Sequence, residues 1–186
     1  MTQAASDTEF IEAMPPAMLR EPLEWLFAEH FRHRQWCRLI ETLAQSTVYD
    51  EARLDAAIGF LRHDIPLHIQ DEEDDLFPLL RRRARREDDI GRILGLLSAD
   101  HRNDHDHVRP LLAGLKAARS AQRAPGADLA LSRRMLDFVT LERRHIALEN
   151  AIVLPLARLR LRSGDLVALS GRLAARRGMT VETPLH

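Results

Sequence analysis

The chain has 186 residues, of which 45% are hydrophobic and 30% charged, and its formal net charge is −1. Such a composition is typical of a soluble globular protein, and the near-neutral charge gives no general attraction to nucleic acid or membranes. The single cysteine excludes an internal disulfide and favours a reducing compartment. We find neither a signal peptide nor the roughly 18–20 apolar residues that span a bilayer. We therefore expect a cytoplasmic protein without a membrane anchor.

The chain opens with a polar arm and one long helix. Residues 1–20 are polar and contain a Pro-Pro pair, so we expect an arm that is flexible or loosely docked. Pro22 suits the first turn of a helix, and apolar residues at helical spacing continue to about Ala44. His30 falls at the centre of this apolar stripe and His33 near its edge. The helix therefore predicts a buried histidine.

The second helical region carries a histidine among acidic residues. Apolar spacing predicts a helix from about Asp50, which Pro66 should end or kink. After the proline, the following helical stretch carries three residues on one face: His68, Glu72 and Asp75. Glu73 and Asp74 are predicted to point away from that face.

A basic run, Arg-Arg-Arg-Ala-Arg-Arg, follows at 81–86. A nucleic-acid contact is one interpretation of it. Cations also complement the dipole at a helix C-terminus, and an acidic run at 87–89 follows directly. We interpret the run as a helix end and expect no nucleic-acid partner.

The second half of the chain repeats the pattern of the first. A third helix is predicted from about residue 88, and His101 and His105 interrupt its apolar stripe. A fourth helix opens near residue 128 and places His145 and Glu149 on its apolar face.

These helices predict an all-α fold, an antiparallel up-down four-helix bundle with a short C-terminal helix at about 165–177. We divide the chain into a flexible arm (1–20), the bundle (21–162) and the short helix with a tail (163–186).

The strongest chemical signal is a repeated pair of residues. His68 and Glu72 recur as His145 and Glu149, shifted by 77 residues (145 − 68), and a proline stands six residues after each glutamate. Residues four apart stack on one helix face, so each pair can hold one metal ion from a single helix.

Every long helix thus places a histidine in its buried stripe, and two helices add a glutamate. A buried carboxylate is costly unless it is paired or bound to a metal, so we predict a metal site. Imidazole and carboxylate donors suit iron, manganese, zinc or copper.

The two His-x-x-x-Glu segments, with Glu29-His30 and Asp100-His101, resemble the conserved segments of the hemerythrin-like (HHE cation-binding) domains. The resemblance covers about residues 21–161. It implies a four-helix bundle around a non-haem di-iron centre (Fe²⁺/Fe³⁺) with a bridging oxo or hydroxo group, in which manganese or zinc could replace iron. The implied metal ligands are His30, His68, His101 and His145, with Glu72 and Glu149 bridging the two irons.

His105 is a candidate fifth histidine ligand. The dioxygen carriers of the family have two histidines four residues apart on the third helix, as His101 and His105 are. In the carriers, however, the last helix has an aspartate five residues after its histidine, whereas Glu149 follows His145 by four, as in sensor and stress-response relatives. The signature is therefore mixed, and a gating or hydrogen-bonding role for His105 stays open. Asp75 and Asp104 are candidates for orienting the imidazoles.

The resemblance implies a protein that binds or senses dioxygen, nitric oxide or peroxide at an open iron position. Two alternatives stay open: a di-iron oxidoreductase or iron–sulfur repair protein, and a partner-binding bundle with a structural metal. We favour binding or sensing over catalysis. A separate protein partner is compatible with this function, and the chain could be a monomer or a homodimer.

Overall fold

The computed structural model describes residues 11–180, apart from the side chains of residues 104–106. All regular structure in this part of the chain is helical, and no strand occurs in it. The predicted all-α class is therefore confirmed. None of the helices between residues 11 and 180 is long and apolar enough to cross a membrane. The ends of the predicted arm and tail, residues 1–10 and 181–186, lie outside the described part.

The first long helix, α1 (Pro22–Gln45), follows a 3₁₀ turn at Pro16–Arg20. Pro22 occupies the start of α1, where its missing N–H would have no intrahelical partner anyway. The 3₁₀ turn is docked on the protein, because Leu19 is buried and its carbonyl accepts a hydrogen bond from Ser170 Oγ at 2.6 Å.

The second long helix, α2 (51–83), is one continuous helical run with two wide turns. Its segments are Glu51–Gly59, Phe60–Asp64, Ile65–Asp71, Glu72–Leu76 and Phe77–Arg83, of which the second and fourth are π-helical. The Asp50 side chain caps the start by accepting from the Arg53 N–H at 3.0 Å. The run continues through Pro66 rather than ending there.

Three further helices complete the fold. They are α3 (Ile90–Ser120), α4 (129–160) and α5 (Ser163–Arg176). Helix α4 contains a π-helical turn at Glu149–Val153, between Leu129–Leu148 and Leu154–Arg160. Asp128 caps α4 by accepting from the N–H groups of Ala130 and Leu131 at 2.9 and 3.1 Å. These bounds lie within a few residues of the predicted ones.

The three π-helical turns have a common cause in the sequence. In each, one residue donates its N–H to the carbonyl five positions back: Ile65, Phe77 and Leu154. A proline directly follows each of these residues: Pro66, Pro78 and Pro155. Proline has no N–H, and its ring clashes with the carbonyl four residues back in a regular α-helix, so the wider turn relieves that clash. Two of the wide turns begin at Glu72 and Glu149.

Neighbouring long helices run in opposite directions. Ser132 at the start of α4 donates to the carbonyl of Ala44 at the end of α1 (2.8 Å), whereas Arg158 near the end of α4 pairs with Glu24 near the start of α1 (2.9 Å). The ion pair between Asp55 and Arg119 and the hydrogen bond from Ser98 to Glu73 place α2 and α3 antiparallel in the same way.

Within residues 11–180, the apolar core forms two separate clusters. One contains Leu26, Leu80, Leu94 and Leu154 and is covered by α5; the other contains Ile40, Leu54, Leu111 and Met135, among others. On each long helix, the histidine of the sequence motif lies between the residues of one cluster and those of the other. A buried polar layer therefore separates the two clusters.

Candidate metal centre

Six buried polar side chains from the four long helices converge in this layer. They are His30 from α1, His68 and Glu72 from α2, His101 from α3, and His145 and Glu149 from α4. None of them is more than 7% exposed. The sequence predicted all six as metal ligands, and the structure brings all six together.

These residues form two overlapping groups, in each of which the donor atoms lie within 4.8 Å of one another. One group contains His30 and His68 and the other contains His101 and His145. Glu72 and Glu149 belong to both. Each group can therefore hold one ion, and the two glutamates are shared.

Each glutamate presents a different oxygen to each pair of histidines. Glu72 Oε1 lies 3.7 Å from His68 Nε2, whereas its Oε2 lies 3.3 Å from His101 Nε2. Glu149 Oε2 lies 3.3 Å from His30 Nε2, whereas its Oε1 lies 2.9 Å from His145 Nε2. A carboxylate placed in this way can bridge two ions.

Six buried atoms that face the centre of the layer have no hydrogen-bond partner of good geometry among the described residues. They are Nε2 of His30, Nε2 of His68 and both carboxylate oxygens of Glu72 and Glu149. Buried polar atoms are rarely left in this state, because each costs free energy unless something satisfies it. Bound cations would satisfy all of them, so the residues present fit a metal centre.

The opposite nitrogens of two histidines are held by hydrogen bonds from outside the layer. His30 Nδ1 lies 2.8 Å from Asn150 Oδ1, and His101 Nδ1 lies 2.7 Å from Glu73 Oε1. Asn150 and Glu73 each directly follow one of the shared glutamates, Glu149 and Glu72. An acceptor at Nδ1 keeps the proton there and leaves Nε2 free for a metal.

The other two histidines have acidic residues beside Nδ1. Glu29 Oε2 lies 3.3 Å from His68 Nδ1. Asp100, which precedes His101, lies 3.7 Å from His145 Nδ1, beyond hydrogen-bond distance. The acid before the histidine of α1, Glu29, thus contacts the histidine of α2. The corresponding acid of α3, Asp100, lies near the histidine of α4 at a longer distance.

None of these four outer contacts was predicted from the sequence, in which Glu29 and Asp100 stand out only as the acids before His30 and His101. Glu73 was expected to point away, but it bonds to His101 and accepts a hydrogen bond from Ser98 Oγ at 3.0 Å. The prediction assumed about 100° per residue, and Glu73 lies in a π-helical turn, which advances less per residue. Asn150 was missed altogether, although its position after Glu149 repeats that of Glu73 after Glu72.

Burial and neighbouring charges separate the pKa values of the histidines. Burial and the charge of His68 lower the pKa of His30 to about 4. Burial also disfavours the charged form of His68, but the charge of Glu72 and the hydrogen bond to Glu29 outweigh it and raise its pKa to about 10. The charge of Glu149 likewise overcomes burial and raises the pKa of His145 to about 10.

Burial and neighbouring charges also separate the pKa values of the two shared carboxylates, Glu72 and Glu149. Although burial favours the protonated form of Glu72, the charges of His68 and His101 bring its pKa well below its usual range. Burial and the charge of Glu72 raise the pKa of Glu149 to about 7. Without a cation, protons on His68 and His145 neutralise the layer, and a cation must displace them.

Other predicted or neighbouring residues lie outside both groups. His33 is buried but bonds through Nδ1 to Glu142 Oε1 at 2.7 Å, so it is occupied elsewhere. Asp75 pairs with Arg172 and Arg176 and orients none of the described histidines, contrary to the prediction. The side chains of His105 and Asp104 fall outside the described residues, so these two predictions stay untested.

An apolar cavity of about 620 Å³ adjoins the layer between α2 and α3. Its walls include His101 together with Ile65, Ile69, Val108 and Leu112. The cavity therefore leads from the protein surface to one of the clustered histidines.

The hemerythrin HHE cation binding domain matches residues 21–157, about three quarters of the chain. The chain belongs to the hemerythrin HHE family. No curated protein matches it.

Membership in the hemerythrin HHE family agrees with the resemblance predicted from the sequence, and the buried donor groups are compatible with the cation binding that the family's description states. The match ends within α4, so helix α5 lies beyond the hemerythrin HHE domain.

Proposed function

We propose that this protein holds two iron ions and binds or senses dioxygen, nitric oxide or peroxide at an open coordination position. The observation that carries the proposal is the sharing of Glu72 and Glu149 between two pairs of histidines. In this proposal the four long helices form an antiparallel bundle around the two ions.

The proposed ligands divide evenly between the ions. His30 and His68 would bind one ion, and His101 and His145 the other, through the Nε2 atoms that face the shared glutamates. Glu72 and Glu149 bridge the ions with one oxygen to each, as the distances from their oxygens to the histidines support. Nitrogen and oxygen donors without a thiolate suit iron, and manganese or zinc fit the same donors.

The remaining coordination positions are what make ligand binding possible. Six protein side chains, two of them bridging, supply eight bonds, whereas two octahedral ions have about twelve positions. His105, one helical turn from His101, is the proposed candidate for a ninth bond. Iron would supply a reducible pair of ions with a free position for a diatomic molecule or peroxide.

The chain's own residues prepare this position. Asn150, Glu29 and Glu73 orient three imidazoles through Nδ1, so the ligand nitrogens need little reorganisation when a cation enters. The apolar cavity beside His101 suits the passage of a small uncharged molecule such as dioxygen or nitric oxide.

Anaerobic loading with ferrous ion, followed by metal analysis and absorption spectroscopy, tests the proposal. We expect two iron ions per chain and absorption bands that change when dioxygen or nitric oxide is added. A protein that takes up no iron, or whose spectrum is insensitive to both gases, would contradict it. Steady turnover of peroxide or nitric oxide with a reductant would instead favour the oxidoreductase alternative.

A further inference from the structure

The C-terminal helix α5, which lies beyond the matched domain, ends in arginines that enter the protein interior. Arg177 directly follows α5, and its side chain is 8% exposed. One of its terminal nitrogens, Nη2, donates to Glu29 Oε1 and to Asp71 Oδ2, both at 2.7 Å. Its guanidinium group also lies over the ring of Trp25, 4.9 Å from the centroid. Its position is therefore fixed from several sides.

Arg177 is connected to the metal centre through a single residue. Glu29 accepts from Arg177 through Oε1, and its other oxygen lies 3.3 Å from His68 Nδ1. His68 Nε2 in turn faces Glu72 Oε1 at 3.7 Å. The path from α5 to the donor atoms therefore contains two polar contacts and no exposed residue.

The four residues beside the Nδ1 atoms of the histidines differ in whether an arginine holds them in place. Glu73 accepts from Ser98, a neutral group; Asn150 is itself neutral; and Asp100 is 55% exposed on its side chain. Among these four acceptors, Glu29 alone forms an ion pair with an arginine in the part of the chain that the structure describes. The His68 side of the centre is therefore the side on which α5 can act.

We propose that Arg177 is a positioning residue of the metal centre: it holds Glu29 in the orientation that keeps the proton of His68 on Nδ1 and leaves Nε2 free for the metal. Without Arg177, Glu29 is a buried carboxylate whose partner is one imidazole, and its free oxygen is unsatisfied. Glu29 then turns toward another donor, and the imidazole of His68 loses the contact that fixes its orientation. Helix α5 is thereby part of the metal centre. The role in metal binding rests on the function proposed above.

Arg176 provides a matched control because it is the adjacent residue and has the same charge. It pairs with Asp71 and Asp75 and is 17% exposed on its side chain, but it does not contact Glu29. Arg176→Met and Arg177→Met therefore each remove one arginine that pairs with Asp71. The variant Arg177→Met alone breaks the connection to His68.

The first measurement uses the metal-free protein, so it is independent of iron and of the gases. Imidazole ¹H–¹⁵N spectra report whether the Nδ1–H of His68 is held in a hydrogen bond and protected from exchange with water. We expect a protected Nδ1–H signal in the wild type, in Arg177→Lys and in Arg176→Met, and the loss of this protection in Arg177→Met. An unchanged His68 signal in Arg177→Met overturns the inference, even if the protein later proves not to bind iron.

The second measurement is anaerobic titration with Fe²⁺ against a competing chelator. We expect Arg177→Met to weaken iron binding by about 10–100-fold, as for other residues that orient metal ligands, and Arg177→Lys to recover most of it. Glu29→Gln should weaken binding, and Arg177→Met should add little to it in the double variant, because both act through one contact. Equal losses in Arg176→Met and Arg177→Met, in step with their thermal stability, would show that α5 only stabilises the fold. Failure of the wild type to bind iron would contradict the proposed function, while the spectra of the metal-free protein would still decide the role of Arg177.

Discussion

His101 and His145 approach each other to 2.9 Å through their Nε2 atoms, in the interior of the protein. His145 Nε2 also lies 2.9 Å from Glu149, and His101 Nε2 lies 3.3 Å from Glu72. Two nitrogens bound at right angles to one ion are roughly 3 Å apart, given bonds of about 2.0–2.1 Å. The two imidazoles are thus already at the spacing of neighbouring ligands on one metal.

Removing one of these nitrogens should change the metal content. We expect His145→Ala or Glu72→Ala to abolish the two-iron centre, because each removes a donor for which no described side chain substitutes. Metal analysis after anaerobic loading measures this directly. His63→Ala, which replaces an exposed histidine on the same helix as Glu72, is the control and should keep full iron content. Full iron content in His145→Ala would refute the ligand assignment.

The hydrogen bond between Asn150 and His30 gives a second prediction. Asn150→Leu keeps the approximate size but removes the acceptor at Nδ1, so we expect iron affinity to fall by about 10–100-fold. Asn150→Asp keeps an acceptor there and should retain most of the affinity. Competition with a chelator measures the iron affinity of both variants. Similar iron affinities of Asn150→Leu and Asn150→Asp would argue against an orienting role for Asn150.

The stability of the metal-free protein should fall at alkaline pH. The pKa values of His68 and His145 are each raised from 6.5 to about 10, so their protonated forms stabilise the fold fully below pH 6.5, and this contribution disappears as the pH rises to 10. Between these pH values, unfolding releases one proton from each of these histidines. Each released proton lowers the free energy of unfolding by about 1.4 kcal/mol per pH unit. Calorimetry with a chelator between pH 7 and 9.5 should show a falling midpoint. In His68→Gln the fall should be shallower; an unchanged slope would contradict the assignment of these charges.

Gly126 lies where α1 ends, and replacing it should destabilise the fold. A Cβ atom at this position would overlap the carbonyl oxygens of Leu43, Ala44 and Ser46, which belong to the backbone and cannot turn away. We expect Gly126→Ala to cost about 1–3 kcal/mol, measured by urea unfolding.

Gly171→Ala is the matched control for that measurement. Gly171 lies inside α5, where an added Cβ meets nothing within 4 Å. Alanine is favoured over glycine in a helix by roughly 0.5–1 kcal/mol, so this variant should be slightly more stable than the wild type. If both variants were equally destabilised, the argument from close contact at Gly126 would be wrong.

The sequence predicted the helices and the six central residues because both depend on local spacing. His68 and Glu72 stand four apart on one apolar stripe, and no knowledge of the partner helices is needed to see this. The identity of the outer contacts depends on distant parts of the chain. Arg177 meets Glu29 across nearly the whole sequence, and no periodicity connects them.

The π-helical turns explain the error at Glu73. Their prolines are visible in the sequence, but from the sequence alone Pro66 predicts the end of a helix or a kink. A proline inside a helix can also be accommodated by a wider turn, and the choice depends on packing against the neighbouring helices. Once the wide turn at Glu72–Leu76 forms, the residues after Glu72 are rotated relative to a regular α-helix, and Glu73 faces His101.

The two apolar clusters give the metal centre a further role in the folding of the protein. Each long helix crosses from one cluster to the other through the polar layer, so that layer is the seam between two half-domains. Ions held by side chains from all four helices would link the two half-domains and make them unfold together. Loss of the metal would first weaken the cooperation between the half-domains, and only afterwards the packing within either of them.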